Sequence, residues 1–146
     1  MNIIVKSRQE IESLIFESPY IVVSISDPYS ARPVIRANSN LLKTLYLQFH
    51  DIDNYIPNDK NEIDKKPITY FTQSQARNII DFVKEFIGKD VTLIVHCEAG
   101  ICRSAGVAAS LSKCILGHDS RYFKQYIPNM LVYQTIINEW NKNGVQ

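Results

Sequence analysis

The sequence predicts an α/β layered fold built as a single domain over residues 1–146. Three observations carry this. The chain has 146 residues, the length of one ordinary domain. It is 45% hydrophobic and 21% charged, enough apolar matter to bury a sizeable core. Short β-branched runs alternate with stretches of helical periodicity, as strands laid against helices do.

Ile3 to Val5 reads as a short strand, and Ser7 then caps a short helix with Ile11, Leu14 and Ile15 on one face. Tyr20 to Ile25 is β-branched and apolar between Pro19 and Asp27-Pro28, which describes a buried strand. Asp27 to Asn40, with two prolines and several small polar residues, is a loop. Leu45 to Phe49 forms another strand, ending in His50-Asp51-Ile52-Asp53. Asn54 to Pro67 is a long surface segment, and loops of that length in a compact domain are often functional.

Thr72 and Gln75 make a capping box. Behind it Ala76, Ile79, Ile80, Val83 and Phe86-Ile87 recur at helical spacing until Gly88 stops the helix. Val91 to Val95 is a third strong strand, followed by a loop from Cys97 to Arg103. A helix then runs from about Ser104 to Leu116, with Val107, Leu111, Cys114 and Ile115 on one face and Gly117 closing it. The C-terminal part is helical with a break at Ile127-Pro128-Asn129, and Leu131, Ile136, Ile137 and Trp140 serve as core contacts. There is no internal repeat, low-complexity tract or Gly/Ser linker.

Sixteen basic against fifteen acidic side chains leave a formal net charge of +1, so no broad footprint for nucleic acid or an anionic membrane is expected. Three cysteines without repeated spacing make no disulfide framework. The apolar run at the N-terminus is too short for a signal peptide, and no stretch approaches the roughly 20 apolar residues of a membrane span. A reducing cytoplasm is the expected compartment. His50 and His118 stand at no metal-ligand spacing, so neither a metal nor a cofactor is expected.

The chemistry is concentrated in His96-Cys97-Glu98-Ala99-Gly100-Ile101-Cys102-Arg103-Ser104. A buried strand leads into a cysteine, a short loop follows, and an arginine opens a helix. Backbone N–H groups of Glu98, Ala99, Gly100, Ile101 and Cys102 can converge as an anion nest, and the helix N-terminus adds partial positive charge at the same centre. Arg103 offers a planar fork matched to two phosphate oxygens. A thiol at that rim is set to ionise and to attack phosphorus. Ser104 can donate a hydrogen bond to the sulfur.

This segment resembles the signature of the protein tyrosine phosphatase superfamily: His-Cys, five residues, Arg, then Ser or Thr. His96, Cys97, Arg103 and Ser104 match it, with Ala99-Gly100 as in many members. The short chain looks most like the compact dual-specificity branch. The resemblance implies a central, mostly parallel sheet of about four to five strands flanked by helices. It also implies a phosphocysteine intermediate on Cys97, and a general acid on the loop after the preceding strand. Leu47-Gln48-Phe49-His50-Asp51 is similar to that stretch and selects Asp51, with Asp53 as its rival. His96 is expected to support Cys97 through hydrogen bonds, not to act as acid or base. The loop's curvature leaves open whether Cys102 can trap an oxidised Cys97.

The expected function is therefore hydrolysis of phosphomonoesters. The expected partner is a phosphorylated protein or peptide, with phosphotyrosine first and phosphoserine or phosphothreonine possible beside it. Tyr29, Tyr55 and Tyr70 lie in loops that could line the entrance. Alternatives with the same chemistry are RNA 5′-phosphates, which the near-neutral charge disfavours, and inositol phosphates, which Glu98 and Ile101 disfavour. A phosphate-binding module without catalysis is the alternative of a different class.

Overall fold

The computed structural model describes residues 1–53, 62–63 and 66–142. In chain order the elements are β1 (Asn2–Ser7), α1 (Arg8–Ser13), β2 (Tyr20–Ser26), β3 (Leu41–Gln48), β4 (Glu62–Ile63), β5 (Lys66–Pro67), α2 (Gln73–Lys84), β6 (Thr92–Cys97), α3 (Arg103–Leu116), α4 (Ser120–Gln125) and α5 (Met130–Lys142). Four strands form one parallel sheet in the order β1-β6-β2-β3, and β4 and β5 make a separate antiparallel pair. Most of the expected Asn54–Pro67 segment, Tyr55 included, lies outside the described residues.

All seven residues of β2 are buried because both faces of the sheet are covered. Side chains alternate between the faces. Ile21, Val23, Ile25, Leu93 and Val95 join the larger core with Ile79 and Val83 of α2, Val107 and Leu111 of α3, and Ile136 of α5. Tyr20, Val22 and Ile94 point the other way and pack with Ile11 of α1. Helix α3 is buried on all sides from Arg103 to Ser112, broader than the single apolar face its spacing suggests. Small residues permit this: a Cβ on Gly106 would lie 2.7 Å from the backbone oxygen of Asn129.

Three boundaries differ from expectation, each for a local reason. Helix α1 stops at Ser13 because Leu14 is extended (φ −68, ψ 132), which leaves Ile15 off the apolar face and 70% exposed. Strand β3 begins at Leu41, not Leu45, because pairing with β2 extends back to Tyr20. Helix α2 ends at Lys84; Phe86 and Ile87 donate to Val83 and Lys84 in three-residue turns, which keeps Phe86 buried and turns Ile87 outward. Among the described residues no helix is long and apolar enough to cross a membrane.

Candidate active site

Because β6 is an inner strand, its C-terminal end opens between β1 and β2, where parallel sheets place their crevices. Cys97 ends β6 and α3 starts at Arg103, so the connecting loop curls over that opening. Gly100 makes the curl possible. Its φ is +71, and a Cβ there would lie 2.7 Å from the backbone nitrogen of Ser7 and 2.8 Å from the carbonyl carbon of Lys6. The Arg8 N–H donates to the Glu98 carbonyl at 3.1 Å, and the Arg8 guanidinium holds the Glu98 carboxylate at 3.1 Å. Glu98 thus turns its charge toward α1 and can offer the loop centre its backbone.

Cys97 is 2% exposed. The Gly100 N–H donates to its Sγ at 3.3 Å, and Ser104 Oγ lies 3.1 Å from the same sulfur. Behind it, His96 Nδ1 is 3.3 Å from the Cys97 carbonyl and Nε2 is 2.6 Å from Ser24 Oγ. Burial pushes the imidazole below its ordinary pKa, so the ring is neutral near pH 7. A carbonyl only accepts, so Nδ1 carries the hydrogen and Nε2 accepts from the Ser24 hydroxyl. His96 therefore braces the strand end.

Arg103 is 5% exposed and anchored along one edge. Nη1 donates to the Phe49 carbonyl at 2.8 Å and to Asp27 Oδ1 at 2.7 Å. Its Nε is buried and has no partner among the described residues. Gln48 sets the Asp27 loop by donating to Ser26 Oγ, the Asp27 carbonyl and the Ser30 carbonyl. In the same loop Tyr29 sits at φ +69, donates to the Pro67 carbonyl and lies 6.3 Å from the His50 ring. The exposed Tyr29 is thus a wall beside Asp27, whereas Tyr70 is half-buried.

The two acidic candidates separate. Asp51 Oδ1 accepts from Asn129 Nδ2 at 2.8 Å, and its charge acts on the Cys102 thiol of the loop. Asp53 Oδ1 accepts the Met130 N–H at 2.9 Å, at the start of α5. Burial, then the Asp51 charge, pushes the Cys102 thiol up to about 11; burial does the same to Cys114. Ala99 and Ile101 are on the exposed side of the loop.

The structure thus brings Cys97, Gly100, Arg103 and Ser104 together, with Asp51 joined to the loop through Asn129, whose backbone N–H meets the Cys102 carbonyl. Sequence reasoning missed Asp27, the Phe49 carbonyl and Asn129. Asp27-Pro28 and Pro128-Asn129 stand out in the sequence as turn signals, but nothing local says what they face.

No protein-family model matches the chain, and no curated protein matches it by sequence. Solved structures do match. The human tyrosine phosphatase-like serine/threonine/tyrosine-interacting protein aligns at 17% identity over 88% of this chain and 80% of its own, with a TM-score of 0.54. PTPMT1 in complex with PI(5)P aligns at 11% identity over 97% of this chain and 91% of its own, with a TM-score of 0.53. The chain has the tyrosine-phosphatase-like fold of these proteins.

Proposed function

We propose that this chain is a cysteine-dependent phosphatase acting on phosphomonoesters of proteins in a reducing cytoplasm, phosphotyrosine foremost. The observation that carries the reading is the buried Nε of Arg103, unpartnered among the described residues, six positions after a buried cysteine. A buried donor left unmade costs about 1–3 kcal/mol, more for a charged one. With Nη1 tied to Asp27 and Phe49, the remaining edge has one orientation, and a phosphoryl oxygen is the acceptor that suits it.

In this mechanism Cys97 Sγ attacks phosphorus, and an S–P bond forms as the bond to the leaving oxygen breaks. Asp51 gives its proton to that oxygen. Arg103 and the loop N–H groups hold the non-bridging oxygens through the transfer. Water then attacks phosphorus, its proton passes to Asp51, and the P–S bond breaks with Ser104 donating to the departing sulfur.

The human neighbour's name, phosphatase-like, favours a second reading as a non-catalytic module. The PI(5)P complex of the other neighbour keeps inositol phosphates in view. The pairing of Glu98 with Arg8 and the exposed Ile101 at the loop rim support a protein substrate over a polyanionic one.

The test is hydrolysis of p-nitrophenyl phosphate against pH, in reductant and chelator, followed by phosphotyrosyl and phosphothreonyl peptides. Cys97→Ser should abolish turnover, Arg103→Ala should lower kcat about 10²–10³-fold, and Asp51→Asn should lower kcat about 10²–10⁴-fold on the phosphopeptides, whose leaving oxygens are poor. Comparable turnover in Arg103→Ala and wild type refutes the mechanism. A folded wild type that binds vanadate without turnover establishes the module instead.

A further inference from the structure

Asn129 ends the break before α5 and is 1% exposed. Its Oδ1 accepts the Val132 N–H at 3.0 Å, as a helix-capping side chain does. Its backbone N–H donates to the Cys102 carbonyl at 2.9 Å, the carbonyl that also accepts from Gly106. With Oδ1 committed to the cap, the amide plane is set, and Nδ2 must face the other way. There it donates to Asp51 Oδ1 at 2.8 Å and to the Ile52 carbonyl at 3.2 Å. One buried residue therefore ties the Cys97–Arg103 loop, through its backbone, to the start of α5 and the Asp51 segment, through its side chain.

We propose that Asn129 is the positioning residue of the general acid, holding Asp51 at the loop and deciding which carboxylate oxygen carries the proton. The inference rests on the reading of Asp51 as that acid. An amide N–H can only donate, so Asp51 Oδ1 remains an acceptor and the proton of the neutral acid sits on Oδ2. The cap leaves Asn129 no alternative orientation, because reversing the amide would set its NH₂ against the Val132 N–H.

A role of this kind has a signature that a packing role lacks. An ester whose leaving oxygen is stable as an anion needs little proton transfer, whereas a poor leaving group needs it in full. Loss of positioning therefore lowers turnover of phenyl phosphate more than of p-nitrophenyl phosphate. Loss of folded protein or of phosphate binding lowers both alike.

Asn129→Asp and Asn129→Ser each keep an oxygen for the Val132 cap and remove the amide donor. We would measure kcat on both esters for wild type, these variants, Asp51→Asn and the Asp51→Asn/Asn129→Ser double variant, alongside melting curves. The phenyl to p-nitrophenyl ratio should fall about tenfold or more in each Asn129 variant, and no further in the double variant than in Asp51→Asn. In wild type, the Asn129 amide proton resonances should follow the titration of Asp51 and lose that response in Asp51→Asn, a readout that needs no Asn129 variant to fold.

An unchanged ratio in the Asn129 variants, with a lowered ratio in Asp51→Asn, overturns the proposal and leaves Asp51 as the acid. Amide resonances that ignore Asp51 overturn it equally. An unchanged ratio in Asp51→Asn removes Asp51 as the acid, and the proposal with it. A folded wild type without turnover overturns the phosphatase reading itself.

Discussion

Gly100 and Gly117 both adopt left-handed backbone, at φ +71 and +86, but in different surroundings. Around Gly117 a Cβ would meet nothing within 4 Å, whereas at Gly100 it would enter the backbone of Lys6 and Ser7. Gly117→Ala should therefore cost about 1 kcal/mol, the conformational term alone. Gly100→Ala should cost about 2–4 kcal/mol and lower kcat/KM, because the loop or the end of β1 must move. Urea titration of both variants beside their turnover checks this; equal costs would mean that the close approach carries no energy. The same dependence on surroundings applies to Arg103, whose usefulness comes from Asp27 and Phe49 occupying one edge of its fork.

At the level of elements, β6 is the strand whose interior polar group ties stability to pH. His96 is held below its ordinary pKa of 6.5 by burial. Between its folded and unfolded values the unfolded chain binds more protons, so stability falls as pH drops below about 6.5 and is fully present above it. His96→Gln should flatten that limb, as read from urea unfolding between pH 5 and 7.5; an unaltered slope would locate the acid sensitivity elsewhere. Elements with strong local signals were legible in the sequence: the largely apolar β2, the Thr72 capping box and the glycine closing α3. The loop was legible too, since its residues are consecutive. What stayed hidden depends on partners brought close by topology. Asp27 meets Arg103 across 76 positions and Asn129 meets Asp51 across 78. Ile15 lies outside the helix because α1 ends at Ser13, two residues before the apolar spacing does.

For the whole molecule, an oxyanion that settles in the loop binds only the folded chain and must raise its melting temperature. Tungstate at about 100 times its Kd should add about 2.7 kcal/mol, a rise on the order of 5–10 °C for a domain of this size. Cys97→Ser should keep most of the shift and Arg103→Ala should lose most of it; no shift at millimolar tungstate would argue against an anion site. The strand order has a further consequence, for the way the molecule comes into being. Asn2 pairs with Thr92 and Tyr20 pairs with Thr92 from the other side, so β1 and β2 do not pair with each other and wait for a shared neighbour. As the chain leaves the ribosome, β1, β2 and β3 emerge with a vacant slot among them, and contacts so distant in sequence form slowly. β6 is the keystone that fills the slot, and its last residue is Cys97. Closing the sheet and delivering Cys97, the proposed nucleophile, are therefore one event, so a chain that stops short of β6 has neither a closed sheet nor that thiol.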